Sequence, residues 1–313
     1  MSTDADDLIA LEMLNSRIRT LLPEQYQDCY EDVQPVSMGS AGLKYGRDGK
    51  VAWNEMWGSF CDLAMAGGPP HKGTLLEPAA RAEIEADPDR CNAVTLEICR
   101  GIEMVTGLSA EASPHAGWIR VSCVNRGTAE WLLRAITMEN VAVRSEGLDL
   151  ELPTGPHYRI EKEIKNVITA MAKTCHYWFG HTSAAHRQTI RELMDTMERE
   201  SPLLRPARFD PGAAAIPHDL LRNQIGDAIS RSTGLSVSGD RYAGWLGIEC
   251  SDVRCAVDFM RSMVASNVLS RREGTTCFVP IDPVVDPNGQ KVAQTVALVH
   301  RLVKACGEAP HRN

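Results

Sequence analysis

The sequence predicts an α+β protein made of two pseudo-symmetric lobes, each an αββαββ unit with an antiparallel sheet and covering helices. The chain aligns with itself: residues 107–153 and 234–280 match without a gap at an offset of 127, with 15 of 47 positions identical. Gly107/Gly234, Trp118/Trp245, Cys123/Cys250, Arg144/Arg271 and Gly147/Gly274 are among the identities. Helical and alternating apolar patterns follow one another in the same order in both copies. With 313 residues, 43% hydrophobic and 24% charged, the chain can bury one large core or two of moderate size.

Each copy opens on a helix, 89–106 or 218–233, that starts after a proline (Pro88, Pro217) and stops at a glycine (Gly107, Gly234). A short strand and then WIRVSC or WLGIEC follow. Ile119, Val121 and Cys123 share one face there, as do Leu246, Ile248 and Cys250. A second helix spans 127–139 or 252–266, and a hairpin turning at Glu-Gly ends the copy. The order α-β-β-α-β-β is a circular shift of the ferredoxin-like βαββαβ arrangement. Further helices are expected at 158–174 and 288–305, and a third strand-link-helix at 37–68 that places Trp53 and Trp57 on one helix.

The expected organisation is therefore four segments. Residues 1–88 complete the first lobe with an N-terminal helix, a strand and a helix, and 89–174 form the first copy. Residues 175–216 hold an inserted helix (184–200) and a proline-rich linker, and 217–313 form the second copy with a C-terminal helix.

A net charge of -8 and a pI near 5.6 argue against nucleic acid as a partner, and no basic run suits a membrane surface. The N-terminus lacks the pattern of a secretory signal, and ten scattered cysteines without a CxxC pair read as reduced thiols. The expectation is a cytoplasmic protein with a small-molecule ligand, self-association into a homo-oligomer being compatible with it.

The duplication sorts candidate site residues. Types kept in both copies, such as Cys123/Cys250 on an apolar strand face, serve the shared fold. Arg144 and Arg271 have a sufficient role in a solvent-facing charge pair at the hairpin. Reactive residues present in one copy are freer to serve chemistry. His115 stands where the second copy has Tyr242, and Arg120 where it has Gly247. The stretch KTCHYWFGHTSAAH (173–186), at the end of the first copy, holds Cys175, His176, Trp178, His181 and His186. His71 and Lys72 lie in the loop GGPPHKG, whose amides and cation suit an anionic group.

These residues suggest an enzyme acting on a small anionic molecule in a cleft between the lobes. His176, His181, Cys175 and His71 are its candidate catalytic groups, and Lys72, His115, Arg120 and Trp178 its ligand contacts. The chemistry is histidine acid–base or metal-assisted, with His176, His181 and His186 as ligands of a divalent transition metal. Residues five apart in an α-helix do not share a face, so a break near Gly180 capped by Thr182 or Ser183 is expected. The alternatives are a non-catalytic metal or ligand carrier, and an assembly protein using the aromatic loop as its interface.

Overall fold

The alternating stretches WIRVS and WLGIE become central strands of two separate antiparallel sheets in a computed structural model, which describes residues 4–36, 42–207, 218–239 and 241–308. The chain divides into two units, one of residues 32–187 and one of 1–31 with 188–313.

In the 32–187 unit the strands are β1 (Ala110–Ala112), β2 (Trp118–Ser122), β3 (Arg144–Glu146) and β4 (Asp149–Pro153), in the order β1-β2-β4-β3. The register pairs Ile119 with Leu152 and Val121 with Leu150, so these four share a face, and all are fully buried. Helices Pro88–Thr106 and Arg126–Met138 pack on the sheet, and helix Lys165–Cys175 packs on both of them. Burial of each such aliphatic side chain stabilises the fold by about 1.5–3 kcal/mol. The first helix starts at Pro88 with the Asp87 side chain accepting from the Arg90 N–H, and ends at Gly107 with φ of 71°.

In the other unit the strands are β5 (Val237–Ser238), β6 (Trp245–Glu249), β7 (Arg271–Glu273) and β8 (Thr276–Pro280), in the order β5-β6-β8-β7. Helices His218–Thr233, Val253–Ala265 and Gln290–Glu308 accompany this sheet. The N-terminal helix Asp4–Leu21 belongs to this unit, where it buries Leu14, Ile18 and Leu21 and packs on helices 253–265 and 290–308. It does not complete the first lobe. Its apolar spacing announces a buried face but not which core receives it.

Backbone geometry recurs at the 127-residue offset. Gly107, Gly117 and Gly147 have positive φ, as do Gly234, Gly244 and Gly274. Asn140 and Asn267, both at φ of 60°, are the non-glycine residues with positive φ among those described. Asparagine is among the few non-glycine residues that visit this left-handed conformation at a helix end, and here both amides bond distant backbone. Asn140 Nδ2 donates to Lys72 O and Asn267 Nδ2 to Ser201 O, each at 2.8 Å. Next to them, parallel bridges tie Leu76 to Val141 and Leu204 to Val268. The segments LLEPA (75–79) and LLRPA (203–207) thus hold corresponding places, displaced by 128 rather than 127 residues.

Three expectations need correction. The 37–68 stretch, of which 37–41 lies outside the described residues, forms no helix among those described: it has a Tyr45–Val51 bridge and 3₁₀ turns Trp53–Glu55 and Ala64–Ala66. Trp53 is fully buried with Nε1 donating to Glu97 Oε1 at 2.8 Å, and it stacks on Trp57 without a shared helix. Nor are the hairpin arginines solvent-facing, since Arg271 is fully buried and the Arg144 side chain is 11% exposed. Residues 208–217, the greater part of the expected linker, lie outside the described residues.

Candidate functional site

Helix Lys165–Cys175 does not end at Cys175 but widens into a π-helical turn over His176–Gly180. A π-turn brings residues five apart onto one face, which an α-helix does not. His176 and His181 therefore meet, with their Nε2 atoms 3.0 Å apart and their rings at 4.6 Å. The break after Gly180 follows as expected, and Ser183 Oγ accepts from the His186 N–H at the start of helix Ala184–Glu200. Arg187 caps the outgoing turn by donating to Trp178 O and Thr182 O.

The pair sits beside a cavity of about 430 Å³ whose lining includes Trp57, Phe60, Met104, Cys175, His176 and Phe179, all within the 32–187 unit. Phe60 lies 5.2 Å from the His176 ring and stacks on Trp57. Burial, and then the neighbouring His181 charge, hold His176 below the usual imidazole range. Two imidazoles in this arrangement share one proton, one nitrogen donating and the other accepting.

Cys175 lines the same cavity but is 4% exposed, and burial pushes its thiol well above the usual range. A thiolate is strongly disfavoured there. Trp178 faces the core: its Nε1 donates to Thr128 Oγ1 at 3.0 Å and its ring stacks on Trp131 at 4.8 Å. It is buried and does not line the cavity. Phe179, 41% exposed, is the aromatic of this stretch that reaches the surface.

The GGPPHKG loop binds a carboxylate, and the carboxylate is the protein's own. Glu139 accepts from the Ala64 N–H at 3.0 Å and the His71 N–H at 2.7 Å. Lys173 Nζ completes the set at 2.9 Å, and both side chains of this ion pair are at most 1% exposed. Gly67 has φ of 106°, and a Cβ on Gly68 would fall 2.2 Å from Asp62 O, so both glycines are needed for the loop's path. His71 Nε2 lies 3.1 Å from Asn166 Oδ1, and burial pushes its pKa down to about 4. The His71 amide is thus spent internally, and the Lys72 backbone is tied in as well, its N–H donating to Glu139 O and its O accepting from Asn140 Nδ2.

A third group lies on the sheet face opposite the helices. The turn before β2, which needs Gly117 at φ of 83°, presents His115 with Nδ1 at 2.8 Å from Glu151 Oε1. Ser113 Oγ donates to the same oxygen, and Arg144 Nε donates to Glu151 Oε2. The Arg144 guanidinium stacks over Trp118 at 4.2 Å. Burial opposes the Glu151 charge, yet hydrogen bonds from His115, Ser113 and Arg144 hold its carboxyl below the usual range. Arg120 lies 3.7 Å from Asp149 and makes no contact with His115. Ligating atoms of His115, Glu146 and Glu151 lie within 4.8 Å of one another, the one such metal-capable group among the described residues.

His176 and His181 therefore come together, whereas His186 does not join them. His71 and Lys72 belong to the Glu139 loop, and His115 belongs to the sheet face. Sequence reasoning missed Glu139, Lys173, Glu151 and Phe60. A charged pair at 139 and 173 inside apolar helical patterns was the available signal for the first two. No protein family, curated protein or solved structure matches the chain.

Proposed function

We propose that the chain is an enzyme that takes a small planar molecule bearing one anionic group into the cavity of the 32–187 unit. The His176–His181 pair acts there as its acid–base group. The observation that carries this reading is the pair itself, two Nε2 atoms 3.0 Å apart, of which His176 lines an aromatic-lined cavity of about 430 Å³. That volume suits a small ligand, and the faces of Trp57, Phe60 and Phe179 suit a planar one. An anionic group beside the pair favours its protonated state, and a ligand proton can pass to or from the shared one. Ligand binding without turnover, by a carrier, rests on the same contacts.

Metal held by the pair is a second reading, because two facing imidazole nitrogens are two of the ligands a divalent transition metal needs. His186 does not supply the third, since among the described residues the only group of three ligating atoms is elsewhere.

We also infer that the two units are copies of one αββαββ ancestor with the circularly shifted ferredoxin-like order. The equal strand orders, the equivalent positive-φ residues and the paired Leu76 and Leu204 bridges support this.

Calorimetric titration with benzoate, indole-3-carboxylate and 2-naphthoate, each beside its neutral amide, tests the cavity. At least one carboxylate should bind more tightly than its amide, and His176→Ala and Trp57→Leu should each weaken it at least about tenfold, or 1.4 kcal/mol. Their thermal midpoints should not change. No binding by any probe, or binding that survives both substitutions, would overturn the reading.

A further inference from the structure

We infer that His115, Glu146 and Glu151 form a divalent transition-metal site on the sheet face of the 32–187 unit, separate from the His176–His181 pair. The three residues come from the turn before β2, the end of β3 and the middle of β4, and the sheet register fixes them together. Glu146 pairs with Asp149 and Arg144 with Glu151, so the hairpin carries both glutamates to one edge of the face.

The donor geometry suits a metal. Two ligand atoms about 2.0–2.1 Å from a metal are about 2.9 Å apart at the right angles of an octahedral site and about 3.3 Å apart at the tetrahedral angle. The His115 Nδ1 to Glu151 Oε1 separation is 2.8 Å. In the metal-bound state the His115 ring takes the Nε2–H tautomer, which leaves the Nδ1 lone pair for the ion. Glu151 offers Oε1 to the ion, which takes the place of the His115 contact on that oxygen beside the Ser113 Oγ–H, while Oε2 keeps the Arg144 Nε–H. Arg144, held by its stack on Trp118, thereby orients the carboxylate in the manner of an outer-shell partner. The Glu151 side chain is 1% exposed and the His115 side chain 33%, so the anchoring carboxylate is rigid while the imidazole side stays open to solvent. One imidazole and two carboxylates favour zinc, manganese, iron or cobalt over calcium.

The other unit shows what the same framework does without this chemistry. Arg271 pairs across the hairpin with Phe278 where Arg144 pairs with Glu151. The Arg271 guanidinium lies 4.0 Å from the Phe278 ring and 4.4 Å from that of Tyr242, the residue standing in the place of His115. This arginine is seated by the aromatic box together with a buried ion pair, its Nη1 lying 2.8 Å from Glu273 Oε1. Each unit thus pairs its hairpin arginine with a buried glutamate, Glu273 in one and Glu151 in the other, and the imidazole of His115 is what the 32–187 unit adds.

Titration of the metal-free full chain with cobalt(II), followed by visible absorbance and calorimetry, tests the site. One ion per chain should bind. His115→Asn should weaken it at least about hundredfold and Glu146→Gln at least about tenfold. Arg144→Met should weaken it by about 10–100-fold, as removal of an outer-shell partner does. His176→Ala should bind as the wild type does, which separates this site from the acid–base pair. Far-UV circular dichroism checks that each variant is folded, and Glu146, being exposed, is the safest of them. Absence of cobalt binding, or binding that survives His115→Asn, would overturn the inference.

Discussion

Replacing Lys173 by methionine should release the loop that carries His71 and Lys72. The Glu139 carboxylate would keep the amides of Ala64 and His71, at 3.0 and 2.7 Å, but lose the ammonium at 2.9 Å. With Glu139 fully buried, no water replaces that partner. Breaking a buried pair by removing one member costs about 3–5 kcal/mol, because the remaining charge is uncompensated. For a unit of this size each kcal/mol is worth about 2–4 °C, so the unfolding midpoint should fall by roughly 10 °C. Urea unfolding of the wild type, Lys173→Met, Glu139→Gln and the double variant completes a cycle whose coupling should be about 1.5–3 kcal/mol. Tryptic cleavage after Lys72 should accelerate in Lys173→Met. A loss below about 1 kcal/mol with additive single variants would refute the role given to the pair.

Asn140→Ala should cost about 2–3 kcal/mol in urea unfolding, combining the left-handed backbone penalty with the lost bond to Lys72 O, and Asn267→Ala should match it. Stability should fall as pH drops from about 6.5 toward 4, because the buried His71 stays neutral in the folded state while the unfolded chain binds a proton. The folded value is the lower one, so the contribution is complete above 6.5 and lost toward 4. It amounts to at most about 3 kcal/mol, and His71→Asn should flatten the slope. Cys255 should alkylate with iodoacetamide faster than the exposed Cys29 at neutral pH, since a hydrogen bond from Cys250 pulls its thiol down to about 6 against the effect of burial. Cys175 should stay unreacted until the protein unfolds.

The sheets were legible because both signals that define them are local. Alternation along 118–122 and 245–249 and glycines at the turns need no knowledge of distant contacts. The helix boundaries at 88–106, 184–200 and 218–233 followed from prolines, glycines and caps in the same way. What escaped was set by tertiary contact. The Asp4–Leu21 helix has an apolar face that either core could have buried. Trp53 and Trp57 have a helical spacing, but only Trp53–Glu55 winds, as one 3₁₀ turn, and Gly58 follows directly after Trp57. The winding of the 173–186 stretch also escaped. An α-helical reading separates His176 from His181, and the π-turn joins them. Glu139 and Lys173 are 34 residues apart, and nothing in either neighbourhood identifies the other. His115 stood out through its asymmetric place in the repeat, but its partner Glu151 looked like an ordinary alternating strand residue.

The shared proton of the His176–His181 pair is the centre of the account. Long-range ¹H–¹⁵N correlation spectra of the imidazoles, recorded across pH with and without a bound aromatic carboxylate, report it directly. Titration of His176 below the usual imidazole range, with both Nε2 signals shifting when the carboxylate binds, is the predicted result. An ordinary value for His176, with neither Nε2 signal moved by any of the carboxylates, would contradict it.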